Sequence, residues 1–427
     1  MSELLEKDKQ YVWHPFTQMK TAEEPLEIIK ADKTTLYAAD GKTYIDCNSS
    51  WWVNVHGHGH PHIGKAINEQ FFKIDHVIFA GATHPKAVEL AERIINILPK
   101  NHFQKVFFSD DGSTAVEVAL KMAFQYWFNK KEPRKRILAL DGGYHGDTFG
   151  AMAIGQRGYF NKPFEHFFFD VDQLDFPTTD IENELLVKAE SLFKSNEFAC
   201  VILEPIIQGS AGMKTYSIEW LNKLVKLAQK YNVLVIFDEV MTAWGRTGKL
   251  FAMNHCEIVP DIVCLSKGLT GGVLPLGLTV TNDKIYNAFL SEEKSKALLH
   301  GHSFTGNPIV CAAACASLDL FQKEETWKKI ELICKKNTEF QQKIKNHKSI
   351  REVRKCGTIL AIEINTGEGN SYFSSIRDEA YKYFLGKGLL IRPLGNVIFI
   401  NPPYSISEDE INKVYIEIQH FLENIEK

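Results

Sequence analysis

Short runs of β-branched and aromatic residues alternate with stretches of helical periodicity between residues 103 and 282. The runs predict strands at Val106–Ser109, Arg136–Leu140, Phe167–Phe169, Cys200–Leu203, Val233–Phe237, Ile262–Leu265 and Leu278–Thr281. Such alternation is typical of an α/β fold, with a mostly parallel central sheet and helices on both faces. Ligands of these sheets bind beyond the carboxyl ends of the strands, so the residues that follow each run are the first candidates for a site.

The two ends of the chain follow different patterns. Near the N terminus, short strand-like runs at Leu26–Lys30, Thr34–Ala38 and Thr43–Cys47 predict a small hairpin region. After residue 330 the pattern predicts a helix near 326–347, strands near 350–364, a helix at 375–386, two short strands around 389–400 and a closing helix at 407–425. We therefore expect three units. They are an N-terminal segment (1–60) that packs with the small domain, a large α/β domain (61–325) and a small α+β domain (326–427).

Composition excludes several classes of function. The 427 residues carry 49 Lys and Arg against 53 Asp and Glu, a net charge of −4, so the chain lacks the basic field that nucleic-acid binding requires. The eight cysteines are scattered without a CxxC pair, which favours a reduced, cytoplasmic compartment. The charged N terminus has no signal-peptide core, and the longest uncharged stretches contain His, Asn, Gly or Pro. We expect no membrane partner.

Two neighbouring strand patterns end in chemically active residues. The buried run at 233–237 leads directly into Asp238, and the run at 262–265 leads into Lys267 and a Gly-rich loop. A lysine held at a strand end is partly desolvated, which lowers its pKa and favours the free amine. Each residue has an ordinary alternative, because Asp238 could cap a helix and Lys267 could be a solvated loop residue.

A second pair of strand ends predicts an anion site and an aromatic wall. Gly112 and Ser113 follow the strand at 106–109 and begin a helical run, where free backbone amides attract anions. Tyr144 follows the strand at 136–140. An ordinary helix cap and an ordinary half-buried aromatic residue are the alternatives. Together with Asp238 and Lys267 these residues form the set that pyridoxal phosphate requires: an amine for its aldehyde, a carboxylate for its ring nitrogen, a helix N terminus for its phosphate and an aromatic face.

Two other features have ordinary explanations. Histidines alternate with Gly and Pro at His56, His58, His60 and His62, and this spacing indicates a turn and not a fixed set of metal ligands. We therefore expect no metal. The paired Trp51-Trp52 is more typical of a core than of a ligand contact.

Longer motifs add a family resemblance. The broader motifs are Asp238-Glu239-Val240 with Gly245-Arg246-Thr247-Gly248, Ser266-Lys267-Gly268, and the segment from Ser303 to Pro308. The more specific ones are Trp13-His14-Pro15, Ser49-Ser50-Trp51-Trp52, the segment from Gly143 to Thr148, Trp244 beside Arg246, and the segment from Ile391 to Gly395. On these residues the chain resembles the fold-type I, class III pyridoxal-phosphate aminotransferases from about Trp13 to the C terminus. Within them it is similar to the branch that converts 8-amino-7-oxononanoate to 7,8-diaminononanoate in biotin biosynthesis.

The resemblance implies a role for each cofactor-site residue. Lys267 would carry the cofactor and act in catalysis, Asp238 would pair with the pyridinium nitrogen, and Tyr144 would line the ring and the substrate pocket. The residues matching the phosphate-binding positions are Gly112, Ser113, His302 and Ser303. Because the last two reach across a subunit interface in the family, a homodimer with shared active sites is implied.

The resemblance also implies the substrates of a ping-pong reaction. Arg392 would bind the carboxylate of 8-amino-7-oxononanoate, and Phe16, Trp51 and Gly301 match other substrate contacts. S-adenosylmethionine is the favoured amino donor. Phe16 stands where members using this donor typically have a tyrosine, and His302-Ser303 replaces a Pro-Thr pair, as in relatives thought to use lysine.

The sequence leaves three alternatives open. The first is the same reaction with lysine as the donor. The second is another class III enzyme that acts on an ω-amino acid such as 4-aminobutyrate or ornithine. The third is a non-catalytic protein that keeps the fold as a binding module, although a retained lysine, carboxylate and phosphate turn argue against it.

Overall fold

The computed structural model describes residues 2–367 and 374–425. The strands are β1 (Ile28–Asp32), β2 (Thr35–Ala38), β3 (Thr43–Asp46), β4 (Lys105–Ser109), β5 (Arg136–Leu140), β6 (Asp172–Leu174), β7 (Phe198–Leu203), β8 (Ile207–Gln208), β9 (Lys214–Thr215), β10 (Leu234–Asp238), β11 (Ile262–Leu265), β12 (Gly277–Thr281), β13 (Ile350–Cys356), β14 (Ile359–Ile364), β15 (Leu389–Leu390) and β16 (Val397–Ile400). The helices are α1 (Glu3–Tyr11), α2 (Ser49–Trp52), α3 (Pro61–Phe71), α4 (Pro85–Ile97), α5 (Gly112–Asn129), α6 (Phe149–Ile154), α7 (Glu182–Phe193), α8 (Ile218–Lys230), α9 (Asp283–Asn287), α10 (Pro308–Phe321), α11 (Glu324–Ile344), α12 (Ser375–Gly386) and α13 (Glu408–Asn424). Short 3₁₀ turns span Lys162–Phe167, Ala252–His255, Lys267–Thr270 and Lys294–Lys296.

A seven-stranded sheet forms the centre of the molecule, in the order β4-β12-β11-β10-β7-β5-β6. The strand β12 is antiparallel to both neighbours, and the other pairs are parallel. The central strands are buried on both faces, as in β10, where Val235 and Phe237 enter one core cluster and Leu234 and Ile236 enter the other. The expected α/β architecture is confirmed. A strand that is buried on both faces must be apolar throughout its length, which is why the apolar runs of the sequence predicted these strands.

Six of the seven strands predicted between residues 103 and 282 lie where the apolar runs indicated, as β4, β5, β7, β10, β11 and β12. The strand expected at Phe167–Phe169 is wrong. A 3₁₀ turn occupies Lys162–Phe167, and the edge strand of the sheet is β6. Phe167 is 65% exposed and Phe169 39%. These phenylalanines therefore do not pack on a buried face of a sheet. Aromatic residues favour strands only where the sheet buries them, so the run by itself did not predict a strand correctly.

The N-terminal and C-terminal parts of the chain meet in a four-stranded sheet of order β1-β2-β3-β15. The pairing of β15 with β3 is parallel, and Cys47 N donates to Leu390 O at 3.1 Å. Strands β13, β14 and β16 form a separate three-stranded sheet. The C-terminal elements follow the predicted order, whereas the domain limits at residues 60 and 325 stay predictions. Across the described ranges, no helix combines the length and apolar character that a bilayer crossing needs.

Candidate active site

Asp238 ends β10, a central strand of the large sheet, and its carboxylate is buried. Its Oδ2 lies 2.7 Å from His145 Nδ1, and its Oδ1 accepts a hydrogen bond from Val240 N at 3.0 Å. Burial lowers the pKa of His145, but the hydrogen bond and charge of Asp238, with the charge of Glu204, outweigh that effect and raise it. The geometry therefore favours an imidazolium held against a carboxylate.

Lys267 follows the neighbouring strand β11, which runs parallel to β10 with Asp238 opposite Cys264. Its φ of 46° lies in the left-handed region, which is strained for a residue with a side chain. Its Nζ lies 5.3 Å from the ring centroid of Trp52. Burial lowers the pKa of the Lys267 amine, while the charges of Asp238 and Glu204 act in the opposite direction. The site thus holds an amine that loses its proton more easily than a surface lysine.

The N terminus of α5 provides an anion cradle at the same edge. Among the described residues, none accepts a hydrogen bond from the amides of Gly112 and Ser113. A Cβ at Gly112 would come within 2.6 Å of Val240 Cγ1, so only glycine lets the backbone pass this close to the Val240 side chain. The Ser113 hydroxyl accepts a hydrogen bond from Asp147 N at 2.9 Å. A helix N terminus with free amides and a hydroxyl suits a phosphate.

Tyr144 follows β5 and is 38% exposed. Its hydroxyl donates to Asp147 Oδ2 at 2.9 Å, and its backbone amide donates to Glu204 Oε1 at 3.1 Å. Burial, together with Asp147, raises the pKa of the Tyr144 phenol. The ring is therefore held at both its backbone and its hydroxyl, and the phenol stays protonated.

Two buried glutamates lie near this edge. Glu204 follows β7 and accepts hydrogen bonds from the amides of Tyr144 and Gly209. Glu239 follows Asp238 and accepts hydrogen bonds from the amides of Ala252 and Met253 and from the Thr242 hydroxyl. Burial raises the pKa of each carboxyl group to about 7. Both groups therefore titrate near neutral pH.

Glu239→Gln should flatten the pH dependence of stability. The pKa of Glu239 rises from its usual 4.5 to about 7 on folding, so its stabilising contribution is complete below pH 4.5 and is lost as the pH rises through 7. Relative to the variant, the native protein should lose about 1–3 kcal/mol of unfolding free energy across that window. Urea unfolding of both proteins at several pH values tests this, and parallel pH profiles would contradict it.

A row of aromatic rings forms the outer wall. The ring of Phe16 lies 5.6 Å from Trp51 and 6.1 Å from Phe160, and the guanidinium of Arg392 lies 5.0 Å from the Trp51 ring. Phe16 and Trp51 are 47% and 45% exposed. Arg392 N donates to Asn48 Oδ1 at 2.8 Å, so the β3–β15 pairing brings the C-terminal arginine to the N-terminal tryptophan. An apolar surface ending in a guanidinium suits a long chain with a terminal carboxylate.

The segment containing Gly301, His302 and Ser303 approaches the loop that precedes the anion cradle. His302 Nε2 is 3.4 Å from Asp110 Oδ1, and the other two residues are exposed. Within the described ranges, no hydrogen bond, ion pair or ring contact joins the segment to Lys267 in the single chain. The cofactor and substrate roles expected for these three residues stay predictions.

The histidines near residue 60 have separate partners. His56 Nε2 lies 3.1 Å from Ser317 Oγ, His58 Nε2 lies 2.9 Å from Asp46, and His62 Nε2 lies 2.7 Å from Asp319. In the part of the chain that the structure describes, no cluster of three or more His, Cys, Asp or Glu side chains is arranged for a metal ion.

The local sequence patterns did not indicate His145, Glu204 or Trp52 as site residues. His145 stands in the motif around Tyr144, and Trp52 in the paired tryptophans. Glu204 directly follows the buried strand β7, so the rule that indicated Asp238 could have found it. Their partners, in contrast, are far away in sequence: His145 is 93 positions from Asp238.

The assembled residues fit pyridoxal phosphate. The edge of one sheet presents an amine of lowered pKa, a buried carboxylate and a helix N terminus with unpaired amides. The phosphate cradle depends on Gly112, where a side chain would collide with Val240. These groups match the aldehyde, the ring nitrogen and the phosphate of that cofactor.

Comparisons with known proteins agree with this fit. The profile of the class-III aminotransferases matches residues 17–422. The adenosylmethionine-8-amino-7-oxononanoate aminotransferase of Synechococcus elongatus is 43% identical over 97% of this chain and 99% of its own, and that of Staphylococcus aureus is 39% identical over 99% and 98%. The crystal structure of the enzyme of that name from Methanocaldococcus jannaschii covers 98% of both chains, with 38% identity and a TM-score of 0.91. A pyridoxal-phosphate-bound amine transaminase from an uncultivated Pseudomonas species covers 96% of this chain and 97% of its own, with 28% identity and a TM-score of 0.90.

Proposed function

Because the chain belongs to the class-III aminotransferases, which use pyridoxal phosphate, we propose that it aminates 8-amino-7-oxononanoate to 7,8-diaminononanoate, a step of biotin biosynthesis. The observation that carries this proposal is the row of aromatic rings at Phe16 and Trp51, which ends at Arg392. A nine-carbon keto acid offers an apolar chain for the rings and a carboxylate for the guanidinium. The relatives named for this substrate match nearly the whole chain and add support.

Pyridoxal phosphate, when bound, stores the amino group between two half-reactions and withdraws electrons from the reacting carbon. Lys267 would hold the cofactor through its amine and would serve as the base that takes and returns the proton at the reacting carbon. Asp238 keeps the ring nitrogen protonated, and His145 orients Asp238 through the 2.7 Å contact. Gly112 and Ser113 bind the phosphate at the N terminus of α5.

Substrate binding divides between the two ends of the keto acid. Arg392 binds the far carboxylate, while Trp51, Phe16 and Tyr144 pack along the chain. One fixed charged contact sets the register of a long flexible substrate, so that its carbonyl carbon arrives at the amine. The Tyr144 hydroxyl, anchored on Asp147, borders the reacting end.

Arg392→Ala should weaken the keto-acid half-reaction selectively. Loss of a charge-assisted bidentate contact is expected to lower kcat/KM for 8-amino-7-oxononanoate by about 10- to 100-fold. The donor half-reaction, which does not use this carboxylate contact, should change little. Stopped-flow measurement of each half-reaction tests the assignment. Equal losses in both halves would contradict it.

S-adenosylmethionine is the proposed donor, supported by the names of the relatives and by Trp51, which resembles a substrate contact of the members that use this donor. Lysine is the second candidate, because Phe16 has no hydroxyl and packs instead on Trp51 and Phe160. In the experiment, the purified enzyme is mixed separately with S-adenosylmethionine, lysine, 4-aminobutyrate and ornithine. The absorbance of the cofactor is followed before steady state. Rapid conversion by S-adenosylmethionine alone is expected. Rapid conversion only by 4-aminobutyrate or ornithine would overturn the proposed substrate.

A homodimer is proposed, with His302 and Ser303 of each subunit completing the phosphate site of the other. Large apolar side chains stand exposed in the neighbourhood of this segment, at Leu299 and Phe304, and Phe304 packs against His76 at 5.5 Å. Exposed apolar patches of this kind mark interfaces. The eight cysteines are free thiols, which supports the proposed cytoplasmic location.

A further inference from the structure

We propose that Glu204 is a positioning residue, whose single carboxylate holds two walls of the site and whose charge acts on Lys267 and His145. Glu204 is 5% exposed and lies directly after β7, at the ligand edge of the sheet. Its Oε1 accepts the amide of Tyr144 at 3.1 Å, and its Oε2 accepts the amide of Gly209 at 2.9 Å. The inference rests on the proposed function only for the identity of the substrate.

The first amide fixes the cofactor wall. Tyr144 begins a short chain of contacts, because its hydroxyl bonds Asp147, and the backbone amide of Asp147 donates to the Ser113 hydroxyl in the phosphate cradle. Glu204 therefore holds the start of the loop that orients both the aromatic ring and the phosphate-binding serine. A displacement of Tyr144 would therefore change the position of both the aromatic ring and the phosphate-binding serine.

The second amide fixes the wall beside Lys267, which Gly209 and Trp52 form. A Cβ at Gly209 would come within 2.9 Å of the Trp52 ring, so Gly209 and Trp52 are in close packing contact. Trp52 in turn lies 5.3 Å from Lys267 Nζ. Each oxygen of Glu204 thus serves a different wall. A protonated carboxyl has one good acceptor oxygen, so protonation of Glu204 would weaken one of these two hydrogen bonds.

The charge of Glu204 acts on the same site. The titratable groups that face it are His145, Asp238, Tyr144, Lys267 and Tyr216. Among the described residues no arginine or lysine forms an ion pair with Glu204, so its cationic neighbours are the two groups that the reaction uses. Its negative charge raises the pKa of Lys267 and of His145 against the effect of burial.

Glu239 provides a matched control. It is equally buried, its carboxylate also accepts two backbone amides, and its pKa is likewise raised to about 7. Its donors belong to the 3₁₀ turn Ala252–His255, and the charges that act on the Lys267 amine are those of Asp238, Glu204 and Arg246. If the loss of any buried carboxylate causes a change, substitution of either glutamate should produce it. If the change depends on contacts within the site, only substitution of Glu204 should produce it.

The test compares Glu204→Gln, Glu204→Asp and Glu239→Gln. In cofactor-free protein, the pH dependence of Lys267 acetylation, followed by peptide mass spectrometry, reports the pKa of that amine. Glu204→Gln should shift the midpoint down by about half to one unit, and Glu239→Gln should leave it in place. Glu204→Asp keeps the charge and shortens the reach, so its midpoint should stay within about 0.3 units of the native value.

A second measurement separates position from charge. In the holoenzyme, both Glu204 variants should raise KM for the keto acid by about 10-fold, through loss of one wall contact. The absorbance titration of the bound cofactor should shift in Glu204→Gln alone. An unchanged Lys267 midpoint in Glu204→Gln, or an equal shift in Glu239→Gln, would overturn the proposal. The midpoint of Lys267 acetylation does not depend on the substrate, so a wrong substrate assignment would leave that result intact. If Glu204→Gln does not fold, Glu204→Asp still tests the effect on KM.

Discussion

Lys267→Ala should abolish turnover, with a fall in kcat of about 10⁴-fold or more. The substitution removes both the amine that attaches the cofactor and the base that moves the proton. Burial already lowers the pKa of this amine, and no other lysine contacts the Trp52 ring in the described parts of the chain. Borohydride reduction followed by mass spectrometry should find no covalently bound cofactor, and kcat should be at the detection limit.

Lys284→Ala is the matched control for this experiment. Lys284 Nζ lies 3.3 Å from Asp261 Oδ1, so it is also a lysine beside a carboxylate, but it lies outside the proposed site. The control should keep native turnover and native covalent labelling. Substantial turnover or labelling in Lys267→Ala would remove the basis of the cofactor assignment.

Asp238→Asn should lower kcat by about 10²- to 10³-fold with little change in the fold. Asparagine keeps the volume of the side chain but cannot hold a negative charge beside the ring nitrogen. The pKa of His145 should also fall, because Asp238 supplies most of the effect that opposes its burial. Steady-state kinetics measures the first effect, and NMR titration of the imidazole measures the second.

Asp261→Asn provides a control with a buried aspartate that precedes β11 and contacts the start of β10. Asp261 is also buried and accepts a hydrogen bond from Val235 N, at the opposite end of β10. This variant should lose stability and keep its kcat. If both aspartate variants lose activity equally, the effect of Asp238→Asn would be one of folding and not of cofactor chemistry.

Much of the large sheet could be predicted because its strands are buried on both faces. Runs such as Ile262–Leu265 are apolar throughout, and the next polar residues, as at Asp238, lie at the ligand edge by the topology of parallel sheets. The prediction failed at Phe167–Phe169. There the aromatic residues are exposed and follow a 3₁₀ turn, so the local pattern did not report burial.

Partners across the site could not be predicted in the same way. The Asp238–His145 contact joins residues 93 positions apart, and Arg392 approaches Trp51 only because β15 pairs with β3. The two amide contacts of Glu204 depend on how the loops after β5 and β7 pack together. Hydrogen bonds between distant residues follow from strand order and loop packing, which periodicity along the chain does not contain.

By itself, the sequence determined the strand ends that carry Asp238, Lys267, Gly112 and Tyr144, since a strand and the residue after it are local properties of the chain. Its longer motifs also determined the family. The tertiary structure alone decided which of these residues touch, that both oxygens of Glu204 are engaged, and that the aromatic row ends at Arg392. The physical reason is that proximity between distant residues arises from the packing of the whole sheet and its loops, whereas the alternation of apolar and polar residues reports only one element at a time.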